Sequence, residues 1–322
     1  MTRPRSTIPI GPKHHRQAGA ALLIALLAVL LASVMALHMI EQSQRAVART
    51  EALLNSERAW QYAHGMKAVA LDWIEQADQQ PGTLPAALSG RWAPPLPVPG
   101  GTVMGRVFDL SGQFNLNRLD HPDPEQALYA RLALDRLLLS LNIDANLTTE
   151  LQGWIRADSS SQGGLYAQAT PAYLRPGMRL AHISELGWLQ RYTPQNNLQL
   201  AALVAAIPDP SARLNINQVS ARVLAAWLDG LSPEQAERIL SAGPYETLAA
   251  LRAQPDMAPY SGLDLEVMFS VRSQWYLTQA RVTLNGQPQD FFYLINRGGT
   301  GYDFRYLSQT PFEPALVGLI AR

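Results

Sequence analysis

Arg16-Gln17-Ala18-Gly19 runs directly into Ala20-Ala21-Leu22-Leu23-Ile24, and the stretch from Ala20 to Ile40 then continues for 21 residues without a carboxylate, lysine or arginine. As a helix rising 1.5 Å per residue it is about 31 Å long, the thickness of a bilayer's hydrocarbon core at ~30 Å. Upstream lie Arg3, Arg5, Lys13 and Arg16 with His14 and His15 and no acid; the first acid is Glu41. Cations on one flank only predict a cytoplasmic N-terminus and an exported C-terminal part. The run is longer than the 7–15 apolar residues of a cleaved signal peptide, and no Ala-x-Ala site ends it.

The helix does not stop at the membrane. Ala59, Ala63, Met66, Ala70, Trp73 and Ala77 recur at spacings of three and four, one face of a helix. No proline occurs between Pro12 and Pro81 to break it. One rod from about Ala20 to about Asp78 is expected, its first half in lipid and its second packed on a globular head.

Composition narrows the classes. The 322 residues carry 26 basic and 26 acidic side chains, 16% charged in all, and no cysteine. Thiol catalysis, disulfides and zinc-thiolate sites are thereby excluded. With the four leader cations removed, 22 basic face 26 acidic residues, a balance that disfavours nucleic-acid binding. Of six histidines, only His64, His121 and His182 lie outside the leader and apolar run. None stands in an H-E-x-x-H, nucleophile-elbow or phosphate-loop context, so structural roles are expected and no enzyme constellation is found.

Beyond the rod, Pro94, Pro95, Pro97 and Pro99 mark an extended connector, and Val103 to Phe108 a strand, with Asp109-Leu110-Ser111-Gly112 as a turn. From Asp120 to about Glu266 the pattern is helical. Asp123-Pro124-Glu125-Gln126, Thr193-Pro194-Gln195-Asn196 and Ser232-Pro233-Glu234-Gln235 each place a cap before proline at the first helical position. In the first and third, glutamine takes the capping-box place. Strand chemistry returns in Trp275–Leu277, Ala280–Leu284 and Phe291–Ile295, a hairpin around Asn285-Gly286 whose loop is expected to run through Gln289. Tyr302 to Leu307 reads as a further strand, with Gly298-Gly299-Thr300-Gly301 as the turn before it. The fold class is α+β: a long N-terminal helix on an antiparallel sheet, interrupted by a large all-α insertion.

These residues resemble known families. The basic leader, Gly19 and the lipid-length helix resemble the class III leader of type IV pilins and type II secretion pseudopilins. The resemblance implies a prepilin peptidase cutting after Gly19 and leaving Ala20 as the new, methylated N-terminus. Most such subunits carry glutamate at the fifth mature position, where this chain has Ile24. A buried carboxylate costs about 2.5–3.5 kcal/mol in a membrane. Its implied role is pairing with a neighbour's ammonium, so its lack implies a filament end. Phe108-Asp109-Leu110-Ser111-Gly112-Gln113-Phe114-Asn115-Leu116-Asn117, Pro171-Ala172-Tyr173, Ile183-Ser184-Glu185-Leu186 and Leu214-Asn215-Ile216-Asn217 together resemble the general secretion protein K family.

That resemblance implies a minor pseudopilin at the tip of the periplasmic pseudopilus, with I- and J-type minor pseudopilins and the inner-membrane assembly platform as partners. The rod's Ala/Met/Trp stripe and the sheet edge are the expected contacts. It divides the chain into a leader (1–19), a transmembrane helix (20–40), the remaining helix, linker and first strand (41–118), an inserted SAM-like α-domain (119–268) and C-terminal strands (269–322). Relatives carry calcium in the head. Here the corresponding stretch is Trp154-Ile155-Arg156-Ala157-Asp158 followed by Gly163-Gly164-Leu165-Tyr166. Arginine replaces an acid and a Glu-Asp pair is missing, which leaves Asp158 as the one candidate ligand. Calcium wants six to eight oxygens, so a weak or absent site is expected.

Two alternatives share parts of this pattern. A type IV minor pilin has the leader and rod, but its relatives lack the paired asparagine motifs and the insertion. A membrane-anchored DNA-uptake protein could use Leu214–Leu240 as a helix-hairpin-helix. Its hairpin Asp229-Gly230-Leu231-Ser232-Pro233-Glu234 is acidic, though, and proline removes a donor. Both asparagine pairs are expected to organise turns into helices.

Overall fold

The computed structural model describes residues 15–79, 90–156, 166–298 and 301–309. Helix α1 spans His15–Gln79, starting five residues before the expected Ala20. Its part up to Arg58 forms one unit and Ala59 onward belongs to the other. In the first unit Leu22 to Leu54 present their apolar side chains outward, Ile24 at 68% exposure among them. Ser33 returns its hydroxyl to the carbonyl of Val29 at 2.8 Å, as a polar group in an apolar stretch must.

In the second unit, β1 (Leu96–Val98), β2 (Gly101–Asp109), β7 (Trp275–Leu284), β8 (Gln287–Gly298) and β9 (Gly301–Gln309) form one antiparallel sheet in that spatial order. Two strands therefore precede the insertion where one was expected, because the proline-rich connector pairs Leu96 with Val103 at the sheet's edge, where proline is tolerated. Alternation along the strands sorts the two faces. Val103, Val107, Tyr276, Ala280, Val282, Phe291, Tyr293 and Ile295 pack on Ala59, Ala63, Met66, Ala70 and Ile74 of α1. On the other face Phe108, Leu277, Phe292 and Leu294 meet Ala205, Ile207 and Ala212 of the insertion. The β7–β8 loop is shorter than expected. Leu284 pairs with Gln287, and Asn285 (φ 50°) and Gly286 (φ 77°) alone make the turn. Both central residues have the positive φ that a two-residue type I′ turn demands. Gly298 pairs with Gly301, and the turn residues Gly299 and Thr300 lie outside the described residues.

Between β2 and β7 the chain builds β3 (Phe114–Asn115), α2 (Pro124–Ser140), α3 (Asn146–Ile155), α4 (Pro194–Leu200), β4 (Val204–Ala205), β5 (Leu214–Asn215), α5 (Ala221–Trp227), α6 (Pro233–Ser241), α7 (Leu248–Arg252), α8 (Leu265–Met268) and β6 (Phe269–Ser270). The insertion is not purely helical: β3 pairs in parallel with β4, and β5 with β6. Its helices share a core that includes Leu134, Leu137, Leu151, Trp154, Val223, Leu224 and Ile239. All three expected caps form, with proline opening each helix. The boxes differ, however. Gln235 closes on Ser232 as expected, whereas Asn196 closes on Thr193, and Gln126 instead accepts from Arg118 at 3.3 Å. At α5 the terminal carbonyls of Ala226 and Trp227 receive Arg136 Nε at 2.8 Å and the Tyr129 hydroxyl at 2.7 Å. A cation at a helix C-terminus is favoured by the dipole.

Candidate functional site

Gly19 and Ala20 lie within α1, four and five residues from its first residue, His15. From Ala21 the helix is long and apolar enough to cross a membrane by length and composition. At the end of the apolar run Glu41 accepts from Arg45 at 2.8 Å, one turn on. The expectation that the Ala/Met/Trp stripe contacts partners is corrected here. Ala59, Ala63 and Ala70 are fully buried and Met66 nearly so against the chain's own sheet. On the flank of that buried face Trp60 stays exposed, its ring centroid 5.2 Å from that of His64.

The asparagine pairs are the insertion's internal joints. Asn115 Oδ1 accepts from the amides of Asn117 at 3.1 Å and Ile207 at 3.0 Å, while its Nδ2 donates to the Asp209 carbonyl at 2.8 Å. Asn117, fully buried, accepts from Leu180 N at 2.8 Å and donates to the carbonyls of Leu180 and Ile207, each at 2.9 Å. The second pair repeats the pattern. Asn215 accepts from Asn217 N at 3.0 Å; Asn217 accepts from Tyr245 N at 2.7 Å and donates to Tyr245 O at 2.9 Å and Val271 O at 3.0 Å. In each case a cap stands two residues past the stitched residue: His182 after Leu180, Thr247 after Tyr245. The insertion is thus two copies of one device: a two-residue parallel strand pair, a self-turning asparagine, and a second asparagine tying remote backbone.

A neck joins the insertion to the sheet. The Ser273 hydroxyl donates to Asp109 and accepts from Asn215 Nδ2 at 2.6 Å. Ser111 Oγ accepts from the amides of Gln274 and Trp275, both at 3.0 Å. Gly112 admits no side chain, since a Cβ there would overlap the carbonyl of Gln218. The turn at Asp109–Gly112 is legible in the sequence; its partner Ser273, 164 positions away, is not.

Asp158 lies outside the described residues. Among the described residues, Arg156 and Arg179 approach Asp120 at 3.8 and 2.9 Å, and Arg175 donates to the carbonyls of Gly153 and Arg156. The buried carboxylate of Glu150 is spent on Tyr166 OH at 3.0 Å and the amides of Gln190 at 2.7 Å and Arg191 at 3.0 Å. Among the described residues no group of three or more His, Asp or Glu could hold a metal ion.

His121 and His182 do structural work. His121 Nδ1 accepts from Asp123 N at 3.0 Å. His182 Nδ1 caps its turn by accepting from Ser184 N at 3.1 Å, and burial lowers its pKa to about 4. In the acidic hairpin, Asp229 pairs with Arg136 at 3.4 Å and its carbonyl accepts from Tyr260 OH at 2.9 Å, so the element is used for packing.

A lipid-length helix whose second half lies along an antiparallel sheet defines a pilin-like subunit, here with a two-part insertion between its second and third strands. Residues 112–209 and 214–272 match two models of the family described as type II secretion system (T2SS), protein K, and these bounds bracket the two asparagine-centred copies. Type II secretion system protein K of Aeromonas hydrophila is 28% identical over 82% of this chain and 88% of its own. That of Pseudomonas aeruginosa is 27% identical over 88% and 90%. A chain of the GspK-GspI-GspJ complex from the enterotoxigenic Escherichia coli Type 2 Secretion System superposes with a TM-score of 0.66, at 22% identity, over 81% of this chain and 98% of that one, a likeness of fold. The chain belongs to the protein K family of the type II secretion system, a minor pseudopilin. This membership displaces the type IV pilin and DNA-uptake alternatives.

Proposed function

We propose that this chain caps the tip of a periplasmic pseudopilus and acts by assembly rather than by catalysis. The observation that carries this reading is where the insertion sits. It springs from adjacent strands β2 and β7 and adds residues 110–274 to a pilin-like scaffold, a bulk that repeated stacking of identical subunits does not accommodate. In this reading the apolar half of α1 holds the subunit in the inner membrane, N-terminus cytoplasmic and head periplasmic, as the one-sided cations of the leader support. Cleavage after Gly19 frees Ala20, and Ile24 leaves the helix without a carboxylate for a subunit ahead.

The partners are I- and J-type minor pseudopilins, supported by the GspI and GspJ found with the solved relative. With the alanine stripe buried, the surfaces left for them are the Trp60–His64 face of α1 and the outer edge of β9. The inner-membrane platform and a prepilin peptidase complete the set. The test is affinity capture of the full chain from detergent-solubilised membranes that also contain the I- and J-type subunits of its own system. A co-eluting complex, weakened by Trp60→Asp, is expected; elution of the chain alone overturns the reading.

A further inference from the structure

Where the two asparagine-centred copies meet, Gln113, Asn115 and Arg118 from the first and Arg213, Leu214 and Trp227 from the second border a cavity of about 10 Å³, room for one water-sized sphere. Two of these side chains are more than nine-tenths buried, Arg118 at 3% and Trp227 at 2% exposure. Arg118 spends Nη1 on the Ala212 carbonyl at 2.9 Å and Nη2 on Gln126 Oε1 at 3.3 Å, and its guanidinium lies 5.0 Å from the Trp227 ring centroid. What remains is a matched pair of orphans: Arg118 Nε and Trp227 Nε1 have no acceptor among the described residues. Both groups can only donate.

The charge is as unbalanced as the hydrogen bonding. Among the described residues Arg118 makes no ion pair with a carboxylate, and a buried charge left uncompensated is strongly destabilising. Asp209 acts on it only from a distance, with its Oδ1 accepting from Ser211 N at 2.8 Å. Asn115 Oδ1 is already taken by two amides. Arg213 brings a second cation to the wall.

We propose that this cavity binds one monatomic anion of the chloride class, held by Arg118 Nε and Trp227 Nε1 and balanced by Arg213, as a pin between the two halves of the insertion. Burial also draws the Arg118 pKa down to about 10, a tendency a counter-ion reverses. A neutral water could fill the same space and take the same two donors, but it would leave the charge uncompensated.

The experiment is thermal unfolding of the full chain in detergent, in sodium chloride against sodium gluconate at equal ionic strength. Chloride is expected to raise the midpoint by several degrees and to saturate, as site binding does, with bromide substituting for it. Trp227→Phe removes one donor and Arg213→Gln the second cation, and each is expected to shrink the chloride effect at least by half. Excess ³⁵Cl line broadening, displaced by bromide, gives an independent readout should Trp227→Phe fail to fold. Equal midpoints in the two salts, or a chloride effect undiminished in Arg213→Gln, overturn the proposal.

Discussion

Ser273 hydrogen-bonds Asp109 across the neck of the insertion, joining the last residue of β2 to a residue two before β7. Because the same hydroxyl accepts from Asn215, one side chain couples the sheet to the second copy of the asparagine device. Ser273→Ala deletes both bonds and takes from the Asn215 amide its hydroxyl acceptor. A loss of about 1–3 kcal/mol is expected in urea unfolding of the full chain. Asp109→Asn keeps one acceptor oxygen where the carboxylate's two serve Ser111 N and the Ser273 hydroxyl, and should also destabilise.

Asn117 is the more demanding joint. Its side chain satisfies one amide and two carbonyls from segments 63 and 90 residues away. Asn117→Asp is nearly isosteric, yet it replaces the donor to both carbonyls by an acceptor. It should therefore destabilise as much as Asn117→Ala, by more than 2 kcal/mol. Asn217→Asp, at the less buried equivalent site, should lose less. Urea midpoints of the three variants make the comparison.

The sequence is informative wherever the signal is local. The 21-residue apolar run, the Ser-Pro and Thr-Pro caps and the Asn-Gly turn each announce themselves within a few residues. The double asparagine motif is visible too, as two Asn-x-Asn triplets 100 positions apart, and reading them as one repeated device needed only that comparison. What stayed hidden depends on distant partners. The alanine stripe reads equally as a face for a neighbour or for the chain's own sheet, since periodicity reports a buried face and not what buries it. Arg118 and Ser273 carry no local pattern; their partners are brought in by topology.

His182 predicts a pH dependence. Its ordinary pKa of 6.5 falls to about 4 on folding, because burial disfavours the imidazolium. Between those values the unfolded chain binds more protons than the folded one, so stability rises with pH across that window and is complete above 6.5. The contribution is roughly 3 kcal/mol, from about 1.4 kcal/mol per pKa unit. His182→Asn keeps a capping acceptor but does not titrate. Melting midpoints measured from pH 4 to 7.5 should fall less steeply on acidification in this variant than in the parent chain; parallel curves would remove His182 from the account.

Arginines gather at Asp120 and at the end of α3, just before the stretch weighed above for calcium. Asp120 is engaged by Arg156 and Arg179, and Arg175 sits on the carbonyls at the end of α3, where a cation is favoured without any metal. Chelation of calcium should accordingly leave the melting midpoint of the head unchanged, and Arg179→Ala should lower it. Calorimetric titration showing micromolar calcium binding that Asp158→Ala abolishes would refute this.

The leader supplies the last expectation. A prepilin peptidase recognises a glycine on the cytoplasmic side of an apolar helix, and here Gly19 falls between Arg16 and the uncharged run that starts at Ala20. Co-expression with such a peptidase should shorten the chain by the 19 leader residues, seen in the intact mass, with methylation of Ala20 adding the mass of one CH2 group. Gly19→Val should block the cut, because a β-branched side chain takes up room that the glycine leaves free. Ile24→Glu separates processing from assembly. The variant should still be cut, while the new carboxylate offers a neighbour's ammonium a partner in the membrane and draws the subunit into positions below the tip. Crosslinking between copies of the variant, absent from the parent chain, would register that change; a variant that crosslinks no more than its parent would dissociate Ile24 from filament position.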